Sequence, residues 1–425
     1  MNRTNHTCDI AIIGGGPAGL AAAYCAIRGG GRVMIIDDNH APGGQIWRGE
    51  QIKPTIPEAA AWFERVRSAG VEFIHGARVI NQPEVGIVTA ETIDGICEID
   101  YRKLILATGA RERFLPFPGW TLPNVAGAGG LQALVKSGLP IKGKRIVVAG
   151  SGPLLMAVAA YLRKQGAEIL LIAEQTDWRR LLRFGLGLMT QSGKIAQAIE
   201  LKRKLSGVPY LTGCRVVKAE GQERLMSVHL HRGKKKWDEK CDYLACGFNL
   251  VPNVELAALL GCEISEGKVV VNDYQETSLP GIFCAGEATG IGGLELSLVE
   301  GRIAGLAVAD LHDEAASFFA ERKKLRSFAQ MLDHTFALRD ELKSLPSPDT
   351  IVCRCEDVTW EHIRSQGGWR EAKLQTRCGM GPCQGRICGA AIEFLSGWNV
   401  ESVRPPVFPA RVESLMDAAA VCEHK

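Results

Sequence analysis

A chain of 425 residues with 46% apolar side chains can build two or three domains with ordinary cores. Its net charge of +3 sets up no overall field for nucleic acid or an anionic membrane, and the one basic run, RGKKKW at 232–237, is expected to be a solvated hairpin turn. The opening MNRTNHTCDIAIIGGG is too short in apolar residues for a signal peptide, and no run of about 18 apolar residues offers a membrane span. A cytoplasmic chain is expected, with peripheral attachment to the inner membrane left open.

Residues 9–38, DIAIIGGGPAGLAAAYCAIRGGGRVMIIDD, predict strand, tight turn, small-residue helix and second strand ending in acid. Gly14, Gly16 and Gly19 stand in G-x-G-x-x-G register: the first permits the turn, the second lets backbone approach a pyrophosphate, and the third lets helix pack on strand. Phosphates would then meet the helix N-terminus, where free N–H groups and the dipole favour negative charge. Asp37 is placed to accept from a ribose hydroxyl, with Asp38 as the fallback. Further along come APGGQIW at 41–47, with Gly44 and Gln45, and LILATGAR at 104–111, a strand running into Thr108 and Gly109.

KRIVVAGSGPLLMAVAAYLRKQGAEILLIAE, 144–174, repeats the strand–turn–helix–strand pattern. Gly150 and Gly152 are present and Glu174 could bond a ribose, but Leu155 replaces the third glycine and is expected to push helix from strand or shift the turn. A bound second nucleotide, NAD or ATP, is left open, and rapid exchange of hydride with NAD(P)H is not expected. LACGFNLVPN, 244–253, mirrors the earlier strand exit and closes the repeat. GIFCAGEATG, 281–290, is another strand ending in Gly286 and Glu287, and the helix after it carries an apolar stripe of Leu294, Leu298, Ile303 and Leu306.

These segments together resemble the flavoproteins with two dinucleotide-binding domains, whose first domain binds FAD. The resemblance implies an α/β Rossmann-like fold, with the second domain inserted in the first. It places the Gly286–Glu287 segment beside the ribityl-phosphate part of the flavin and points the following helix N-terminus at the ring, where it would stabilise an anionic reduced flavin. Glu287 departs from the usual Asp. No C-x-x-C stands in either nucleotide region, so a disulfide reductase of the thioredoxin-reductase kind is excluded.

Of the 14 cysteines, Cys25, Cys97, Cys214, Cys241, Cys246 and Cys262 read as buried small hydrophobes, the pair 241 and 246 on a strand. Residues 353–388 are different: CRCEDVTWEHIRSQGGWREAKLQTRCGMGPCQGRIC holds a C-x-C and a C-x4-C around glycines 379, 381 and 385. Four thiolates suit zinc or an iron–sulfur cluster. Structural zinc favours C-x2-C knuckles, whereas glycine N–H groups can bond cluster sulfurs. The stretch resembles the bacterioferritin-associated-ferredoxin-like 2Fe–2S domain, which by position makes Cys353, Cys355, Cys383 and Cys388 the ligands and leaves Cys378 out. Before it, 312–345 has a charged, helical period and is read as a connector or a docking surface for a second polypeptide.

Over nearly its whole length the chain resembles the α subunits of hetero-oligomeric, dye-linked amino acid dehydrogenases, the group of opine oxidase, D-hydroxyproline dehydrogenase, the hydrogen cyanide synthase flavoprotein and, more distantly, sarcosine oxidase. The resemblance implies FAD and a 2Fe–2S cluster here, and a β flavoprotein subunit carrying the substrate site. An FMN at a subunit interface and a small ferredoxin-like γ subunit are further candidates. The competing reading is a self-contained NAD(P)H-dependent flavin/2Fe–2S reductase. The expected domains are 1–115 with 268–312 for FAD, 116–267 for the second nucleotide fold, a helical linker over 313–348, and a small 2Fe–2S domain over 349–425.

Overall fold

The computed structural model describes residues 2–188, 192–399 and 403–419. The chain forms two compact units: Met1–Arg111, Val251–Ala329 and Glu401–Lys425 make the first, Glu112–Leu250 and Gln330–Val400 the second. The units divide at 111 and 250 where 115 and 267 were expected, and 349–425 is divided between them at Val400.

The first unit is built on a seven-stranded sheet in the order Glu72–His75, Val33–Asp37, Asn2–Ile13, Gly95–Leu106, Ile87–Glu91, Arg78–Glu84, with Ile282–Cys284 also pairing with Gly95–Leu106. The strands that meet at the nucleotide end are parallel: Ile13 lies opposite Ile36 and Leu106, and Leu106 opposite Cys284. Alternation along them fills both faces. Ile10, Ile12, Val33 and Ile35 join one core with the helices, while Ala11, Ile13, Met34 and Ile36 join another on the opposite face. Burying each large aliphatic side chain contributes ~1.5–3 kcal/mol.

Helix Pro17–Ala26 has Pro17 in its first turn, where its missing N–H costs nothing. The small residues of this helix have a packing reason. Helix Gly293–Val308 crosses so closely that a Cβ on Gly301 would lie 2.2 Å from the Ala18 carbonyl oxygen, and one on Gly305 2.2 Å from that of Ala22. Leu298, Ile303 and Leu306 of the expected stripe are buried, and Leu294 packs partly buried against the core.

The second unit has a five-stranded parallel sheet in the order Tyr210–Thr212, Glu168–Glu174, Arg145–Ser151, Tyr243–Phe248, Val125–Gly127. A three-stranded antiparallel sheet follows; of the basic run only Gly233 and Lys234 make the exposed turn, while Arg232 and Lys235–Trp237 belong to the paired strands Leu225–Arg232 and Lys235–Lys240. The turn before Leu155 is shifted, as expected: its helix starts at Leu154 after Gly152 at φ +99°, whereas in the first fold the helix starts at Pro17 after Gly16 at φ −75°. Leu155 is fully buried in the core, and the neighbouring strand makes room with Gly247, where even a Cβ would come within 3.3 Å of a Leu155 methyl. Cys246 lies on strand Tyr243–Phe248, while Cys241 is buried just before it, not on the strand.

The connector contains helices His312–Ala316 and Phe319–Thr335 and a short 3-10 turn, Asp340–Ser344. Beyond it, Ile351–Cys353 pairs with Val358–Thr359, and helices Trp360–Arg364, Trp369–Thr376 and Cys388–Ser396 enclose a small core of Ile363, Trp369, Ile392 and cysteines. Among the described residues no helix is long and apolar enough to cross a membrane.

Candidate nucleotide sites and the thiol cluster

The first glycine turn has the close approaches its sequence requires. Gly14 adopts φ +108°, and a Cβ there would lie 2.2 Å from the Ala107 carbonyl oxygen; on Gly19 it would lie 1.9 Å from that of Gly14. Gly16 is different: a Cβ there would meet nothing closer than the Cα of Gly44 at 3.9 Å, so backbone stands open beside the helix N-terminus. Asp37 is buried at the strand end, its Oδ2 accepting from Gly15 N at 2.6 Å and its Oδ1 from Asn39 N and Nδ2 at 2.8 Å each. A carboxylate oxygen has two acceptor positions, so Oδ2 retains one for a ribose hydroxyl. Asp38 is exposed, 3.9 Å from the Arg78 guanidinium, and takes a bond from Asn39 Nδ2 at 2.9 Å.

Gly43 N donates to Gly15 O at 2.7 Å, which seats the PGGQIW loop on this turn; Gln45 is exposed. Trp47 ends the loop fully buried, and its indole Nε1–H has no hydrogen-bond partner among the described residues. Thr108 and Gly109 are tied to Asn253: Thr108 Oγ1 donates to Asn253 O at 2.7 Å, Asn253 Nδ2 to Thr108 O at 2.9 Å, and Asn253 N to Gly109 O at 2.9 Å. Arg111 completes the group with bonds to Asn253 Oδ1 and Glu255, each at 2.8 Å.

Gly286, at φ +80°, packs so tightly that a Cβ would lie 2.8 Å from Ala18 Cβ. Burial raises the Glu287 carboxyl above its ordinary range, against the opposing effect of a bond from Gly293 N. The longer side chain thus reaches the first residue of the following helix. Behind this segment lies a group that sequence reasoning missed. Glu300, 1% exposed, accepts from Gly286 N at 3.1 Å, Thr289 Oγ1 at 2.7 Å and Arg326 NH2 at 2.7 Å. Arg326 and Arg322 both also reach Gln275 Oε1. The local signal was slight: one Glu inside an apolar helix and two arginines a helical turn apart on the connector.

In the second fold Gly150 and Gly152 take φ +137° and +99°. Glu174 is 0% exposed, accepting from Gly152 N at 2.9 Å and Thr176 N at 2.8 Å, and burial raises its carboxyl. It is the counterpart of Asp37, but enclosed. Glu112, also missed, caps helix Ala128–Lys136 through Gly129 N at 2.7 Å and Gly130 N at 2.9 Å.

All five thiols of 353–388 are free and contiguous. Cys353, Cys378 and Cys388 are buried with their sulfurs within 4.8 Å of one another. Cys388 also bonds Cys383, whose thiol is thereby lowered to about 5, and Cys383 meets exposed Cys355. Cys378, left out of the expected ligand set, therefore joins the buried group, while Cys355 and Cys383 flank it toward solvent. Gly379 N donates to Cys353 Sγ at 3.5 Å. Gly381 is required by space, since a Cβ there would sit 2.3 Å from Cys355 Cβ. This donor set fits a thiolate-ligated cluster or metal.

Residues 8–309 match the family described as pyridine nucleotide-disulphide oxidoreductase. The hydrogen cyanide synthase subunit HcnB of Pseudomonas aeruginosa is 31% identical over 89% of this chain and 90% of its own length. An opine oxidase subunit of Rhizobium meliloti is 29% identical over 96% of this chain and 98% of its own. Among solved structures, L-proline dehydrogenase from P. horikoshii shares the fold with a TM-score of 0.68 at 19% identity, over 98% of this chain and 80% of that one. Thioredoxin reductase from T. acidophilum shares it over 72% of this chain and 98% of that one, with a TM-score of 0.55 at 20% identity. With its glycine turns and this likeness over most of its length, the chain belongs to the pyridine nucleotide-disulphide oxidoreductase family.

Proposed function

We propose that this chain is the flavin- and iron–sulfur-bearing electron-transfer subunit of a heteromeric amino acid dehydrogenase or oxidase, with the C–N bond oxidised on a partner flavoprotein. The observation that carries this reading is the group of five thiols gathered around the glycine loop at 379–385, in a chain whose first nucleotide turn keeps an open backbone cradle. HcnB and the opine oxidase relative are by name subunits of larger enzymes, which supports a partner.

A bound flavin would supply exchange of electron pairs and single electrons. The chain's own residues do the holding. Gly16 and the N-terminus of Pro17–Ala26 receive the pyrophosphate, Asp37 Oδ2 a ribose hydroxyl, and the Gly286–Glu287 segment the ribityl side. Glu300 keeps that segment in place. Cys353, Cys355, Cys383 and Cys388 are the proposed 2Fe–2S ligands, and the substrate class is an opine, a proline-like or another secondary amino acid. FMN at a subunit interface and a small γ subunit complete the proposed assembly.

Anaerobic purification with the co-purifying partner, followed by a screen of secondary amino acids, tests it. Flavin bleaching that needs the partner is the expected result. Bleaching of the isolated chain by an amino acid, or within milliseconds by NADH, would overturn it.

A further inference from the structure

We infer that Phe336 determines specificity in the second dinucleotide fold: carried on the chain's own connector, it fills the place of a pyrophosphate and excludes NAD(P)(H) and other ADP-containing ligands. Every residue involved belongs to the second unit, so the exclusion holds or fails independently of the proposed relay.

In an open parallel sheet the ligand lies beyond the carboxyl ends of the strands, and the second glycine of the G-x-G turn lets its phosphates meet backbone. At Gly152 that approach is taken. A Cβ built on Gly152 would meet Asn249 Oδ1 at 3.8 Å and Phe336 Cγ at 4.0 Å, so the ring stands one methyl group away from the turn and covers it. The equivalent Gly16 of the first fold faces only Gly44, which has no side chain. Phe336 is 6% exposed and packs edge-on against Phe184, with ring centroids 5.6 Å apart.

The ends of three adjacent strands hold the segment down. Ser151 Oγ donates to Phe336 O at 2.8 Å and Asn249 Nδ2 to the same carbonyl at 3.2 Å. Gln175 Nε2 donates to Ala337 O at 3.2 Å and to Ser151 Oγ at 3.0 Å, while its Oε1 accepts from Arg339 N and Nε at 3.3 Å each. Arg180 adds a bond to Ala337 O at 3.3 Å. Ser151 ends the strand Arg145–Ser151, and Gln175 and Asn249 directly follow Glu168–Glu174 and Tyr243–Phe248, where polar groups would otherwise face a ligand. Glu174, the acid placed for a ribose, is enclosed beneath them.

A ligand can enter only in the fraction of molecules whose connector has lifted, and its apparent affinity falls by that fraction. Hydrogen exchange on the full chain, with its first site loaded, tests this with millimolar NADH and, separately, ADP-ribose. In the wild type, peptides covering 146–156 and 172–178 should gain no protection from either. Phe336→Ala, checked for native circular dichroism, should gain protection there, with apparent affinity raised roughly tenfold or more. Should that variant not fold, Ser151→Ala with Asn249→Ala, which cuts both bonds to the Phe336 carbonyl, is read in the same way. Protection of the wild-type turn by submillimolar NADH would overturn the inference, as would a folded, loosened variant that binds no better than wild type.

Discussion

Glu300→Gln isolates the buried group behind the cofactor segment. The side chain keeps its size but exchanges one acceptor oxygen for an NH2 donor. The three partners, Gly286 N, Thr289 Oγ1 and the Arg326 guanidinium, are all donors. Thr289 can adapt, since its hydroxyl also lies 2.9 Å from Gly286 O and can turn to accept. Whichever way the amide sits, either the guanidinium or Gly286 N then faces a donor. A hydrogen bond to a charged group contributes ~1.5–3 kcal/mol. Arg326 is 36% exposed and can recover some hydration, so a net loss of about 2 kcal/mol is expected. The chain has two units, so unfolding is followed by the urea transition that releases flavin fluorescence rather than by a global signal. The cycle with Arg326→Met should give a coupling of about 1 kcal/mol or more. A shift below about 0.5 kcal/mol with unchanged flavin retention would refute the positioning role of Glu300.

Gly16→Val places a branched side chain on the open face of the first turn and should abolish flavin retention while thermal unfolding of the apo chain changes little; flavin released on acid denaturation measures it, and release of ATP or NAD without flavin contradicts the FAD assignment. Single Cys→Ser changes at 353, 355, 383 and 388 should remove the visible absorption of a 2Fe–2S cluster and Cys378→Ser should not; loss in the Cys378 variant with retention in the Cys383 variant transfers the fourth ligand to the buried trio. Burial raises the Glu174 carboxyl above its ordinary 4.5, so the folded state holds a proton that the unfolded state has lost just above that pH. Its contribution is full below 4.5 and declines as pH rises toward the folded value, and Glu174→Gln should flatten that part of a denaturation-midpoint profile; an unchanged slope counts against it.

The first turn was legible because its chemistry is local: the spacing of Gly14, Gly16 and Gly19 already dictates which Cβ atoms cannot exist. The acid at the strand end followed from the same unit. What the sequence hid was contributed from afar. Leu155 announced a shifted turn, but the room for its side chain comes from Gly247, which lies on another strand and carries no motif of its own. Phe336 is 185 residues from the serine whose hydroxyl holds its carbonyl, and nothing in the connector's helical period marks it. Glu300 is a single acid inside an apolar helix, and only the fold brings Arg326 to it. Cys378 was set aside by position in a motif, yet Arg377 and Gly379 at φ +66° and +79° bring the loop back so that its thiol is buried against Cys353 and Cys388.

The central claim, a relay subunit with flavin and cluster serving a partner's C–N oxidation, is tested most directly by rapid-freeze EPR on the anaerobically purified complex reduced by its amino acid substrate. The account predicts a reduced 2Fe–2S signal that grows as the flavin bleaches and disappears in the Cys353→Ser variant. Stoichiometric zinc without iron or labile sulfide, or a cluster that substrate never reduces, would contradict it.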